Sequence, residues 1–286
     1  MANTNINTTT TSPAAYSPDV VAFTAEQAIP EALLLKASTV VNTDLEGDRP
    51  SVLVPWVKDS PATWTGEGME LTGTAPELDQ VAIPVRKMTK LCNISREMWE
   101  GNGNTNSTLL SNGAMRSIIK TADTALMTVA EETSFPLHGL VTTEGRVEGG
   151  NITTNLDPLA DAIGQVEANG GTPSLIVAHP LAWSKLRNLK ATDASNTTLL
   201  GAGTEDQGKK LFGIEVITNA AVPEDTLVLI DPTAIVSAAG QVEVATSDQV
   251  LFNYDSIALR VIWHMGWKVM EANRLATVTV GASTGK

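Results

Sequence analysis

The clearest pattern of hydrophobic and polar positions lies near the C-terminal end of the chain. Between residues 257 and 269 every odd position is apolar, and charged residues such as Arg260 and Lys268 stand between them. Alternation with a period of two is typical of a β-strand that buries one face, so it predicts one long strand. The apolar positions shift to even numbers over 275–280, which predicts that the strand continues through a bulge or bend near residues 271–274.

A helical pattern precedes this strand in the middle of the chain. Its apolar stripe predicts a helix over about residues 107–132, which ends before the Phe135-Pro136 pair. Charged residues such as Arg116, Lys120 and Asp123 are predicted on the opposite side of the helix. The residues of the apolar stripe are Met115, Ile118, Ala122, Leu126 and Val129.

Between this helix and the long strand, shorter apolar segments alternate with turn signals. Asp157 followed by Pro158 is typical of a helix start, and Gly170-Gly171 is typical of a helix stop. His179 with Pro180 predicts the start of a further helix, and the polar, Gly-rich stretch 191–210 is predicted as an exposed loop. The predicted strands are 174–178, 211–217, 226–230 and 241–246.

Two apolar arms enclose an unusually long polar connection in the N-terminal third of the chain. The arms are residues 52–57 and 81–85, and the second arm runs on to 91–94. The segment between them, 58–80, is rich in Gly, Pro, Thr and acidic residues and has no apolar face wide enough for a core. A compact domain rarely keeps so long a connection without a use. We therefore predict a projecting ribbon that a neighbouring copy of the protein orders, which indicates assembly rather than catalysis.

Composition bounds the class of protein. With 286 residues, of which 42% are hydrophobic and 18% charged, the chain is globular and long enough for one large or two small cores. No apolar run approaches the roughly 18–20 residues that span a bilayer, and the N-terminal residues lack the pattern of a signal peptide. The single cysteine, Cys92, excludes an internal disulfide and fits a reducing compartment. A net charge of −13 argues against sequence-independent binding to nucleic acid, although an acidic wall can enclose nucleic acid at a distance.

Residues that could carry chemistry do not form a recognisable constellation. His138, His179 and His264 are far apart, and none has a carboxylate or cysteine at metal-ligand spacing. Cys92 has no neighbouring histidine or lysine cluster that would lower its pKa. Neither a Gly-x-Ser-x-Gly elbow nor a phosphate-binding loop is found. We therefore predict no catalytic residue, no cofactor and no metal ion.

The order of elements resembles that of the tailed-phage major capsid proteins, which have the Hong Kong 97-type fold. The resemblance covers roughly residues 30–280. It implies an α+β fold with an N-terminal arm, an extended β-ribbon loop, a peripheral domain with a long spine helix and long strands, and a central axial α/β domain. The segments that carry the resemblance are 61–68 in the ribbon, 176–180 with 183–186, and 211–216 with 228–232. The implied segments are the arm at 1–48, the ribbon at 49–100, the peripheral domain at 101–155, the axial domain at 156–256 and the peripheral return strand at 257–286.

The resemblance also implies a function. It indicates a structural capsid subunit that forms pentamers and hexamers in an icosahedral virion shell around double-stranded DNA, without sequence-specific binding and without a membrane. The shell would assemble in the cytoplasm of a bacterial host. Portal and decoration proteins would be separate chains, and a scaffold would be a separate protein or unnecessary. Two alternatives stay open at this point: an encapsulin, the shell protein of a bacterial compartment that holds cargo enzyme, and a soluble α+β enzyme.

The expected assembly residues lie in the ribbon. Trp64 has few apolar neighbours in the sequence, so it either packs against a neighbouring subunit or stabilises a local turn. Some members of the resembled family join a ribbon lysine to an asparagine of a neighbouring subunit. Lys58, the single lysine of the polar segment 58–80, lies at the base of that segment among acidic residues that favour a charged amine, so we predict a shell without covalent cross-links. The predicted interface residues are Lys58, Trp64, Glu67, Met69, Glu70 and Leu71.

Overall fold

The computed structural model describes residues 20–42, 45, 51–58, 64–69, 77–101, 104–128, 137–190, 198–200 and 208–281. Within this part of the chain the strands form a five-stranded sheet, a six-stranded sheet and a separate two-stranded ribbon. The strands are β1 (Val20–Phe23), β2 (Thr39–Asn42), β3 (Ser51–Lys58), β4 (Glu77–Pro84), β5 (Arg86–Ser95), β6 (Val147–Ile152), β7 (Leu175–Ala178), β8 (Lys210–Leu211), β9 (Ile214–Thr218), β10 (Thr226–Ile230), β11 (Ile235–Leu251), β12 (Ser256–Val269) and β13 (Ala276–Val280). The helices are α1 (Ala25–Ala28), α2 (Leu33–Ala37), α3 (Arg96–Glu100), α4 (Asn104–Thr128), α5 (Asp157–Ala168) and α6 (Pro180–Asn188).

The two longest strands lie at the centre of the five-stranded sheet. β11 and β12 pair antiparallel in the order β1-β11-β12-β5, and β2 pairs parallel with β11. The odd-numbered side chains of β12 are buried as far as Trp267, as the alternation predicts. The prediction of a single buried face is wrong, because Ala258, Ile262 and Gly266 on the even face are also buried.

A bulge interrupts the ladder between β11 and β12. The register shifts between Ala239 and Val242, and the indole nitrogen of Trp263 donates a hydrogen bond to the Gly240 carbonyl at 3.1 Å. β11 has 17 residues, so the predicted strand at 241–246 is too short. The first six residues of β11 are all buried. A strand that is covered on both faces lacks the alternation of apolar and polar residues by which a strand is recognised in a sequence.

Helix α4 packs against one face of this sheet and is the predicted spine helix. It has 25 residues and is about 37 Å long at 1.5 Å per residue. The stripe residues Ile118, Ala122 and Leu126 are buried as predicted, whereas Val129 lies outside the described residues. The prediction for Asp123 is wrong, because its side chain is only 4% exposed.

The six-stranded sheet has the order β6-β13-β10-β7-β9-β8. β7 and β10 are buried along their whole length, because one face packs with α5 and α6 and the other joins the core that contains α4. β13 also belongs to this sheet, where it pairs with β10 and β6. The prediction that the long strand continues through 275–280 is therefore wrong. A 3-10 turn at Ala272–Arg274 lies between β12 and the strand of the other sheet.

The smaller predicted elements are found with local differences. α5 begins at Asp157, but Leu156 takes the capping position that was predicted for Asp157. α6 begins as predicted, with His179 as its cap. The strand predicted at 211–217 is divided by a turn into β8 and β9. Most of the loop predicted at 191–210 lies outside the described residues.

Candidate assembly interface

The predicted ribbon is present as an antiparallel pair of strands. β3 and β4 pair along their whole length, from Ser51 opposite Pro84 to Lys58 opposite Glu77. At about 3.4 Å per residue the ladder is roughly 24 Å long. In the described part of the chain these two strands pair only with each other. An isolated hairpin is marginally stable in water, so the ribbon depends on packing against its faces.

Apolar contacts with the body of the protein anchor the ribbon root, which we define as residues 51–54 and 81–85. Ile83 is fully buried and Val85 is 8% exposed, and both pack with Val236 of β11. These contacts form a small hydrophobic cluster on the face of the sheet that points away from α4. The root is thus fixed by apolar burial in addition to its backbone ladder.

A close backbone approach accompanies this packing. A Cβ atom placed on Gly266 of β12 would lie 2.1 Å from the carbonyl oxygen of Pro84 and 3.2 Å from the Cα atom of Val85. Only a residue without a side chain can occupy this position while the root stays in place. The contact also accounts for the burial of the even face of β12 at this point.

The other face of the ribbon root is open to solvent. Leu53 is 61% exposed, and its cross-strand partner Ala82 is exposed as well. One face of the root is therefore occupied by the protein's own sheet, whereas the opposite face is available to another molecule.

The described part of the ribbon tip, residues 64–69, presents two large apolar side chains to solvent. The Met69 amide donates a hydrogen bond to the Gly66 carbonyl at 3.1 Å, and Gly68 has a φ angle of 79° that favours glycine. The side chain of Met69 is 73% exposed, and that of Trp64 is fully exposed at 104%. The local stabilising contact that was one alternative for Trp64 is therefore not formed with the described residues.

The other predicted interface residues are placed as follows. Glu67 is exposed in the same turn as Trp64 and Met69. Lys58 is the last residue of β3. Glu70 and Leu71 lie outside the described residues. The part that these residues play in assembly stays a prediction.

A second exposed apolar surface was missed by the sequence analysis. It is the hairpin end, residues 250–254, which comprises the last two residues of β11 and the turn that follows them. Val250, Phe252 and Tyr254 are 76%, 80% and 79% exposed. Arg96 fixes this end, because its backbone amide donates to the Asp255 carbonyl at 3.0 Å and its Nε donates to Asp255 Oδ1 at 2.9 Å. The hydrogen bond with Asp255 also raises the pKa of Arg96. The apolar run between two strands was the signal available in the sequence.

A buried carboxylate joins three parts of the fold. Oδ1 of Asp123 accepts a hydrogen bond from the amide of Leu33, the first residue of α2, at 2.9 Å. Its Oδ2 accepts a hydrogen bond from Nδ2 of Asn219, which follows β9, at 2.7 Å. Burial raises the pKa of Asp123, although both hydrogen bonds and the charge of Lys36 lower it. The spine helix is thereby tied to the N-terminal segment and to the six-stranded sheet.

The residues considered for catalysis have structural surroundings. The Nδ1 atom of His179 accepts a hydrogen bond from the Leu181 amide at 3.2 Å, which caps α6. Cys92 is a free, half-buried residue in β5. Among the described residues, no group of three or more His, Cys, Asp or Glu side chains is placed to hold a metal ion.

The helices of the described ranges include none with the length and apolar character needed to cross a membrane.

Comparisons with known proteins identify the family. The sequence matches the model of the phage capsid family over residues 25–280. No curated protein sequence matches the chain. Among solved structures, one from Mycobacterium phage Adephagia is 13% identical with a TM-score of 0.66, and covers 98% of this chain and 100% of its own. A structure from Gordonia phage Cozz is 14% identical with a TM-score of 0.65, and covers 88% of this chain and 87% of its own.

A third similar structure is described as the capsid of an empty GTA particle. It is 16% identical with a TM-score of 0.63, and covers 88% of this chain and 90% of its own. Identities this low show a shared fold, and the family model extends over every described strand except β1. The chain therefore belongs to the phage capsid family, as a structural major capsid protein of a tailed phage.

Proposed function

We propose that copies of this major capsid protein assemble as pentamers and hexamers into an icosahedral shell around the double-stranded DNA of a tailed bacteriophage. In this shell the ribbon of each subunit lies over an adjacent subunit. The five-stranded sheet and α4 form the peripheral plate of each capsomer, and the six-stranded sheet approaches the capsomer axis.

The observation that carries this proposal is the ribbon. It extends roughly 24 Å along its ladder, and apolar packing anchors its root. The segment 64–69 between its two strands leaves Trp64 fully exposed and Met69 73% exposed. Large apolar side chains in exposed patches mark interaction surfaces, and tryptophan is enriched among the residues that dominate binding energy. A neighbouring subunit is the partner that a self-assembling shell supplies.

We infer that the subunit acts without catalysis and without a cofactor. His179 is used as a helix cap, and the buried carboxylate of Asp123 is used to join structural elements. The function follows instead from many repeated contacts between copies, each of which can be weak.

The charge supports enclosure of DNA rather than sequence-specific binding. The chain carries a net charge of −13, so its average interaction with a polyphosphate is repulsive. An acidic wall lets packaged DNA move, because few phosphates are held by lysine or arginine. We further propose assembly in the cytoplasm of the bacterial host, with any scaffolding, portal and decoration proteins as separate chains.

The proposed division of the chain keeps the predicted segments, with one amendment from the sheet pairing. The segments are an arm (1–48), the ribbon (49–100), a peripheral part (101–155 and 257–286) and an axial part (156–256). β6 and β13 pair in the six-stranded sheet, and β11 pairs in the five-stranded sheet. The peripheral and axial parts therefore exchange strands across these boundaries.

Electron microscopy of the protein expressed alone tests the proposal, with light scattering of the same sample. We expect closed shells of uniform size that contain pentameric and hexameric capsomers. Particles purified from infected cells should additionally protect double-stranded DNA from nuclease. A monodisperse species near the 30.1 kDa subunit mass at every salt and protein concentration would contradict the proposal.

A further inference from the structure

A cleft of about 810 Å³ lies beside the ribbon root and has no assigned role. The described residues that border it belong to the root itself, the end of β12 and the turn segment 138–144. A volume of this size is typical of sites that bury a ligand or an anchoring side chain.

The cleft combines apolar walls with a few polar groups. Ala82 and Pro84 of the root line one side, and Trp267 and Val269 line another. Trp267 is only 2% exposed, and its indole nitrogen already donates to the His138 carbonyl at 2.8 Å, so it brings no unpaired donor to the cleft.

The polar lining groups of the cleft include Thr142, Thr143, Glu144 and Lys268. The Oγ1 atoms of both threonines donate to the Gly139 carbonyl, at 3.0 and 2.9 Å, so the turn holds them in fixed positions. Lys268 and Glu144 are both exposed and carry opposite charges. The lining therefore suits an apolar anchor flanked by a charged residue.

We propose that this cleft receives the ribbon tip of a second copy of the chain, with Trp64 as the inserted anchor. The inference rests on the proposed function and names the surface that the ribbon contacts. The tip offers a flat aromatic side chain that is fully exposed, and Met69 beside it adds apolar area. Glu67 in the same turn has the charge to pair with Lys268 at the cleft.

The protein's own tip does not occupy the cleft. Trp64 is fully exposed, and neither Trp64 nor Met69 is among the described residues that line the cleft. The root residues Ser51, Ala82 and Pro84 line it instead. The tip that enters the cleft in our proposal therefore belongs to a second copy of the chain.

The test uses a photoreactive benzoylphenylalanine at position 64 of the full-length chain. Subunits with this residue are co-assembled with an excess of unmodified subunits labelled with nitrogen-15, and the particles are irradiated. We expect mass spectrometry to find position 64 joined to residues 138–144 or 267–269 of a labelled copy. Cross-links to any other surface, or within one copy, would overturn the inference.

The reverse experiment keeps the inference testable if the first variant fails to assemble. The same photoreactive residue is placed at Lys268, on the exposed side of the cleft, and should join to residues 64–69 of a labelled copy. A control probe at Phe252, which is 80% exposed on the hairpin end, should give no link to 64–69. Links from Phe252 to the tip in place of links from Lys268 would overturn the inference.

The docking site and the proposed function are refuted by different results. Shells that form normally but lack links between the tip and the cleft refute the docking site and leave the proposed function intact. Unmodified protein that forms no shell under any condition refutes the proposed function itself.

Discussion

Nδ2 of Asn219 donates a hydrogen bond to the buried Oδ2 of Asp123 at 2.7 Å, and so joins the spine helix to the six-stranded sheet. The other carboxylate oxygen holds the amide of Leu33 at the start of α2. One side chain thus connects three segments that are far apart in sequence. Its removal should loosen the relative positions of the two sheets before it affects either sheet alone.

The first prediction concerns the stability that this carboxylate contributes. Asp123→Ala leaves the Leu33 amide and the Asn219 carboxamide without their partner, which should lower the free energy of unfolding by about 1–3 kcal/mol. Urea denaturation of unassembled subunits measures this change. Asp161→Ala is the matched control, because Asp161 is exposed on α5, and should stay within about 0.5 kcal/mol of the unmodified protein. Equal stability of the two variants would show that the hydrogen bonds of the buried Asp123 carboxylate do not stabilise the protein.

The second prediction concerns pH. Burial raises the native pKa of Asp123 above its ordinary value of 3.8, so the native state holds this proton more tightly than the unfolded state. The part of the stability that depends on this proton is therefore fully present below pH 3.8 and is lost as pH rises through the native pKa. The unmodified protein should therefore become more stable relative to the Asp123→Asn variant as pH falls through this window. The measured quantity is the unfolding free energy of each protein as a function of pH. A difference that is constant or shrinks with acid contradicts the prediction.

The third prediction concerns the packing of the ribbon root against the five-stranded sheet. Gly266→Ala places a methyl group where it would lie 2.1 Å from the Pro84 carbonyl oxygen, so the root must move. We expect a loss of about 1–3 kcal/mol in unfolding free energy, as for other overpacked sites. Amide hydrogen exchange in residues 81–85 should become faster at the same time.

A matched glycine provides the control for this variant. A Cβ atom at Gly164 in α5 meets no atom within 4 Å, so Gly164→Ala should leave stability unchanged or raise it by about 0.5–1 kcal/mol. Unchanged exchange at 81–85 in Gly266→Ala would mean that the root does not depend on this contact.

The fourth prediction is that the shell contains no covalent cross-links. Lys58 is the only lysine between residues 51 and 84, and it is the last residue of β3 rather than a residue of the tip. Mature particles boiled in detergent should run as one band near 30.1 kDa. A ladder of pentamer-sized and hexamer-sized bands that survives reductant would refute this prediction.

The sequence predicts those parts of the fold in which one face of a helix or strand is buried and the other face is exposed to solvent. The stripe of α4 and the odd positions of β12 are examples, because burial on one face leaves a period in the sequence. The ribbon was predicted for a different reason, since a long polar connection between apolar arms has no place in a core.

The features that the sequence does not predict depend on contacts that leave no period in the sequence. The first half of β11 is covered on both faces and contains a bulge at Gly240, so its pattern does not alternate. Asp123 lies within the buried part of α4 because Leu33 and Asn219, both distant in sequence, satisfy its carboxylate. The need for glycine at position 266 arises from the backbone of another strand, which no local pattern shows.

The central claim is that the ribbon closes the shell, and electron microscopy of two proteins expressed in parallel tests it most directly. One is the full-length chain and the other lacks residues 60–77. The account predicts closed shells from the first, and from the second folded subunits with unchanged circular dichroism that form no closed shell, because α4 and β12 pack without the ribbon tip. Normal yields of closed particles from the deletion variant, or loss of its native circular dichroism, would contradict the account.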